Sequence, residues 1–171
     1  PFDEVIGSLG LRMERVEGIN IEELLLIDRP GIVKLMVESI AKSFLLTEIQ
    51  GNAVSLLGDD GPKSLKYNEF LDIWLGNYVY LWKPPQSYSI LREGSSNRPL
   101  LEWLQTRLAI IDDKYEEMIT GGRYTEAIRL EVLDFQTKHR LRADGILGAE
   151  TTMKINRLTD PSIPSILRKD A

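Results

Sequence analysis

The sequence predicts an α+β chain in two parts, a small domain around an antiparallel sheet followed by a three-helix bundle. Three observations carry that expectation. Gly51-Asn52 stands between two β-rich runs, the two-residue signal of a hairpin whose glycine supplies positive φ. Leu101, Leu104, Leu108 and Ile111 share one face of a helix, and Ile128, Val132 and Phe135 repeat the period. Between the two regions lie Pro84-Pro85, which end any strand or helix, and the turn-rich stretch Glu93-Gly94-Ser95-Ser96-Asn97-Arg98-Pro99. The expected layout is therefore a first domain over 1–85, a linker over 86–98, a second domain over 99–160 and a tail over 161–171. The tail, with two prolines and a charged end, is open to packing back or trailing freely.

In chain order, 21–27 reads as a short helix with Asn20 as cap and Glu22 and Glu23 in the first turn. After Arg29-Pro30, residues 31–37 read as a strand, and 44–50 with 53–57 form the hairpin. Residues 58–62 read as a loop, 67–74 as a helix and 78–82 as a closing strand. Alternation puts Tyr78, Tyr80 and Trp82 on one face of that strand, a face better suited to packing on the 67–74 helix than to stacking on sugars. In the second part, Thr125 is placed to cap the second helix, with Glu126 behind it. Thr151, Ile155 and Leu158 mark a shorter third helix, after a glycine-bearing loop over 141–148.

Composition narrows the chemistry. The 171 residues include no cysteine, which removes a disulfide scaffold, a thiolate zinc site and a cysteine nucleophile. The single histidine, His139, excludes sites that need two imidazoles. Net charge is −5, so a duplex nucleic-acid partner is disfavoured. Charge is uneven: residues 1–60 hold 11 acidic against 5 basic side chains, a net of −6, whereas 121–157 hold 7 basic against 5 acidic, a net of +2. An anionic ligand is better received by the second part. No apolar run approaches the ~18–20 residues of a membrane span. The chain begins at Pro1 with neither methionine nor a signal-peptide pattern, as expected of a processed or excised piece of something longer.

One segment is specific. Phe135-Gln136, Leu141, Asp144-Gly145 and Gly148-Ala149-Glu150-Thr151, with Leu104-Gln105 and Leu108 upstream, closely resemble the three-helix peptidoglycan-binding domain of bacterial cell-wall proteins. Physical chemistry gives most of these positions a structural role. Gly145 and Gly148 are expected to take backbone angles closed to other residues, Asp144 to accept N–H bonds inside its own turn, Thr151 to cap or pack the last helix, and Phe135 and Leu141 to be core. The resemblance makes Tyr124, Gln136, Arg140, Arg142 and Asp144 the candidate ligand contacts, because a stem peptide offers carboxylates to arginine and sugars suit amides and phenols. For Lys138, Arg140 and Arg142 a merely solvated basic face is as good a reading of each alone.

The order of parts extends the resemblance. Residues 70–85, directly before the peptidoglycan module, together with 26–35, are similar to the periplasmic part of the type II secretion protein A (ExeA/GspA) family. That resemblance implies a degenerate papain-like peptidase fold joined to a wall-binding module, behind a cytoplasmic ATPase and one membrane helix in sequence not present here. It also implies a periplasmic location, a B-type secretion partner, self-association on the wall, and a role in anchoring the complex and assembling the secretin. Where related peptidases carry their histidine this chain has Lys42-Ser43-Phe44, so the fold is expected without the chemistry, as a spacer or docking surface. No catalytic residue, cofactor or metal is expected. The alternatives are a cell-wall hydrolase working through the first part, and a docking module with no wall affinity. The acid pairs Asp59-Asp60, Asp112-Asp113 and Glu116-Glu117 are better read as solvated charge than as a hydrolase's carboxylates.

Overall fold

The computed structural model describes residues 2–115 and 121–167. Glu116-Glu117 and the end of the tail lie outside the described residues. The chain is mixed α and β and divides into two compact units, residues 1–83 with 164–171, and residues 84–163.

The first unit is a six-stranded antiparallel sheet. After α1 (Phe2–Ser8), β1 (Arg12–Glu17) and α2 (Ile21–Ile27) lead into β2 (Gly31–Val37), β3 (Ile40–Gln50), β4 (Ala53–Gly58) and β5 (Gly61–Lys66). Helix α3 (Tyr67–Ile73) then runs directly into β6 (Trp74–Trp82), which inserts between β1 and β2 to give the order β1-β6-β2-β3-β4-β5. Period-2 alternation decides which face is buried. Val33, Leu35, Phe44, Leu46, Val54, Leu56, Tyr78, Tyr80 and Trp82 are all buried in the core, as are Leu24 of α2 and Phe70 of α3. The aromatic row of β6 is therefore packing: the Tyr78 and Tyr80 rings sit 5.6 Å apart, the Tyr78 hydroxyl donates to the Arg29 carbonyl, and the Trp82 indole donates to Glu14. Helix α3 lies against β2, β4 and β5.

Asn20 caps α2 by a reciprocal capping box, its Oδ1 accepting from Glu23 N–H while Glu23 Oε2 accepts from Asn20 N–H. Three elements went unforeseen. Strands β1 and β5 are polar outer strands of the sheet, with Pro62 tolerated at an edge, and α1 is only seven residues long.

At the other end of α2, Asp28 takes left-handed angles (φ 46) and turns its carboxylate toward the returning chain. Asp28 Oδ1 accepts from Ser165 Oγ (2.6 Å), Ile166 N–H (3.0 Å) and Leu167 N–H (3.1 Å). Ile166 is wholly buried, and its carbonyl accepts from Ile49 N–H beyond the point where β3 leaves β2. Residues 164–167 thus belong to the first unit.

The second unit holds α4 (Arg98–Ile111), a short 3-10 turn at Asp113–Tyr115, α5 (Glu126–Lys138) and α6 (Ala149–Thr159). Asn97 and Thr125 accept from the first-turn N–H groups of α4 and α5, the role expected of Thr125. Leu100, Leu101, Leu104 and Leu108 of α4 are buried, and α4 packs against α6. Leu158, expected on the inner face of the last helix, is 43% exposed; Thr152, Met153 and Asn156 fill that face instead. Residues 86–98, expected as a linker, are tied into this unit: Leu91 is buried and exchanges both backbone hydrogen bonds with Leu147. Gly94 N–H donates to the Tyr124 carbonyl, and Tyr124 N–H to the Ser95 carbonyl.

Asp28→Ala removes an acceptor shared by three donors, so it should destabilise the first unit by about 1–3 kcal/mol. Amide hydrogen exchange at Ile49 should accelerate with it. Asp28→Asn, which keeps the oxygen and tolerates left-handed angles, should cost much less.

Candidate functional site

The site builds outward from the end of α5. Gln136 is 1% exposed and lies in the last full turn of that helix. Its Oε1 accepts from the N–H groups of Asp144 (3.1 Å) and Gly145 (2.8 Å). Its Nε2 lies 3.0 Å from the Ile146 carbonyl, 3.0 Å from Thr151 Oγ1 and 3.1 Å from Asp144 Oδ1. One side-chain amide therefore joins α5, the loop and the first turn of α6. Tyr124 closes the opposite side, fully buried, with its hydroxyl donating to the Gly145 carbonyl at 2.8 Å. Burial, followed by the Asp144 charge, pushes that phenol's pKa up and keeps it a donor.

Two expected ligand contacts are consequently inside the molecule. The polar atoms of Tyr124 and Gln136 are spent on the loop, and burial leaves neither side chain a surface to offer a ligand. Both hold the loop in shape. Thr151 does not cap α6, where the N-cap position is Gly148; it packs, accepting from Gln136. Gly145 behaves as expected, with φ +68, and a Cβ there would stand 2.7 Å from Arg129 Cγ and 3.2 Å from its carbonyl oxygen. Gly148 does not: its backbone is extended (φ −97, ψ −172) and a Cβ at this position would meet no atom within 4 Å. Leu104, Phe135 and Leu141 are buried as core, and Gln105 is half-buried on α4.

The remaining three candidates face outward. Asp144 Oδ1 accepts from Ile146 N–H, closing an Asx turn, while Oδ2 lies 3.7 Å from Arg142 Nε. The Arg142 side chain is 84% exposed, so this pair is weak and the guanidinium is available. Arg140 is exposed and has no carboxylate within ion-pair distance among the described residues. Lys138 differs from both, being engaged with Asp134 (3.2 Å) and Asp112 (3.9 Å). Asp134 also binds Lys114 at 2.6 Å, and that contact, foremost, holds its carboxyl below the usual range. Asp112 further accepts from Lys114 N–H, and Asp60 pairs with Lys63, so these acids are occupied with local contacts.

Arg140 has an unusual backbone. It occupies the left-handed position (φ 57) just past α5, with its N–H on the Thr137 carbonyl and Leu141 N–H on the Gln136 carbonyl. That pair of bonds is the Schellman pattern, in which glycine is the usual residue at this position. An arginine there costs about 1 kcal/mol relative to glycine.

Lys154 was not among the expected residues. It follows Thr151 by three on α6, so it shares the helix side that meets α5, and its charge reaches His139. That spacing was the available signal. His139 rests on the Phe135 ring, centroids 4.4 Å apart. Burial first, then Lys154 and Lys138, push its pKa down, so the ring stays neutral at pH 7. Among the described residues, no three His, Cys, Asp or Glu side chains are grouped to hold a metal ion.

Residues 97–155 match the family model described as "Putative peptidoglycan binding domain". The chain is 21% identical over 158 residues to "General secretion pathway protein A" of Aeromonas hydrophila, covering 92% of this chain and 28% of that protein. It is 25% identical over 129 residues to "Putative general secretion pathway protein A" of Escherichia coli (strain K12), covering 74% of this chain and 25% of that one. The chain thus spans about a quarter of the length of these curated relatives. Among solved structures it is similar to a periplasmic domain of the EpsAB fusion protein of the Vibrio vulnificus type II secretion system, with TM-score 0.57 and 22% identity over 91% of this chain and 68% of that chain. This likeness bears on the fold, an α+β unit with an antiparallel sheet joined to helices.

Gln136→Ala should lower unfolding free energy by about 2–4 kcal/mol, read by denaturant titration, because it orphans two loop N–H groups as well as removing its own bonds. The imidazole of His139, the only histidine, should titrate by NMR below the ~6.5 of an unfolded chain. Its folded pKa is depressed, so the unfolded state binds more protons, and stability should fall as pH drops through 6.5 toward the folded value. Lys154→Gln should raise that midpoint.

Proposed function

Because this chain resembles the periplasmic region of the type II secretion protein A family along most of its length, we propose that it binds peptidoglycan without cleaving it. The observation that carries the reading is the loop over 140–144: the wall-binding match falls on 97–155, and within it Arg140 and Arg142 are exposed cations on a backbone made rigid by Gln136 and Tyr124. A stem-peptide carboxylate is the natural partner for such a guanidinium pair, through parallel hydrogen bonds. Asp144, beside Arg142, offers an acceptor to sugar hydroxyls or amides. The strained backbone at Arg140 supports a functional reason for keeping arginine where glycine fits better.

In this reading the first unit is a peptidase-like scaffold without its chemistry. The absence of cysteine and the single histidine in the other unit support that role, as does Lys42-Ser43-Phe44 lying inside β3. The helices α4, α5 and α6 form the wall-binding bundle. The chain works in the periplasm, attached to an inner membrane through sequence outside this chain. It fixes a secretion complex to the wall, helps the secretin assemble, and self-associates on polymeric wall. The likeness to a domain of an EpsAB fusion supports a B-type partner.

Co-sedimentation of the whole chain with purified insoluble peptidoglycan tests this. The protein should pellet without releasing soluble muropeptides. Arg142→Ala should bind about three- to tenfold more weakly at low salt, and the loss should shrink as salt screens the contact. Arg140→Gly separates shape from contact: it should raise stability by about 0.5–1 kcal/mol while weakening pelleting. Failure of the native chain to pellet at low salt, or release of muropeptides, would overturn the proposal.

A further inference from the structure

The outward face of the sheet in the first unit carries an organised feature that wall binding does not use. Strand register sets Arg15, Val79, Ile32, Leu45, Leu57 and Pro62 directly opposite one another across all six strands. Along their strands Val79, Ile32, Leu45 and Leu57 adjoin the buried Tyr78, Val33, Phe44 and Leu56, so the middle of the row faces outward. Ile32 and Leu57 are each 45% exposed, and at ~4.8 Å per strand the apolar part of the row runs about 19 Å. Near one end, around Met13, Ile32, Leu45, Val79 and Leu81, the surface dips into an apolar hollow of about 330 Å³.

On this face cations outnumber acids, Arg15 and Lys34 against Glu17. Arg15 Nη2 lies 3.7 Å from Met13 Sδ, which brings the guanidinium to the rim. Lys34 follows Ile32 by two residues on the same face of β2. Neither cation has a carboxylate within ion-pair distance among the described residues, although residues 1–60 carry a net charge of −6. Unpaired cations in an acidic domain, set against a contiguous apolar row, define the complement they lack.

We propose that this face docks a partner segment with one bulky apolar anchor residue flanked by carboxylates. The hollow receives the anchor, in the manner of an interface hot spot, and Arg15 and Lys34 receive the carboxylates. A second copy of the same face would bring the same two cations against a single acid, Glu17, so it meets them less well than an acidic segment does. The inference concerns the first unit alone and stands apart from wall binding.

Methyl NMR on the full chain tests it, with two probes: an eight-residue peptide with one tryptophan between glutamates, and the same peptide with lysines in their place. The acidic probe should saturably shift the methyl signals of Met13, Ile32, Leu45 and Leu81, and bind at least fivefold more tightly than the basic one. In the double variant Arg15→Glu with Lys34→Glu, both exposed positions, that preference should vanish or invert with the fold retained by circular dichroism. Three results would overturn the proposal: no saturable shift with the acidic probe up to millimolar concentration, equal affinity for both probes, or shifts that appear on concentrating the protein alone.

Discussion

The second unit depends on one buried amide. The loop over 139–148, between α5 and α6, has too little apolar surface to fix itself, and its backbone N–H groups still need partners. Gln136 supplies them from a helix that is itself anchored by Ile128, Val132 and Phe135. An amide suits the position because it offers acceptor and donor at once, toward Asp144 and Gly145 on one side and Ile146 and Thr151 on the other. Leucine would fill the volume and a carboxylate would supply acceptors only. The buried polar group thus specifies the conformation of everything outside it.

Exposure then divides labour among side chains that look alike in sequence. Lys138, Arg140 and Arg142 form a basic run, yet Lys138 belongs to a surface network with Asp134, Asp112 and Lys114. Arg140 stands on strained backbone and Arg142 on the far side of the helix stop. The rigid interior lets two flexible cations be presented from a fixed base, which limits the entropy lost when they engage a partner.

Much of this was legible. The Gly51-Asn52 turn, the capped helix α2 and the strand β2 appear with the bounds their patterns implied, because each combined turn chemistry with a strong apolar period. Strands β1 and β5 were not: both are polar outer strands without a strong apolar period, and β1 also pairs with a strand distant in sequence, as Arg12 with Trp82. The site was legible by position but not by role. Phe135-Gln136 and Asp144-Gly145 marked the loop, while nothing in the residue types distinguishes a glutamine that reaches a ligand from one that faces inward. Gly148 shows the converse, a motif glycine whose backbone any residue could adopt. Residues 86–98 read as linker from their turns, whereas backbone bonds from Leu91 to Leu147 and from Gly94 and Ser95 to Tyr124 make them part of a folded unit.

The clasp of residues 164–167 by Asp28 makes the first unit discontinuous in sequence, with the second spliced into it between Lys83 and Pro164. The second unit is therefore held by two covalent crossings instead of one. A pull on it is shared by two peptide strands in parallel, one ending in β6 and the other in the carboxylate clasp. Cutting either crossing would leave a tether through the other. For a module whose proposed task is to grip a rigid polymer, load sharing of this kind turns a three-residue hydrogen-bonded strap into a mechanical element.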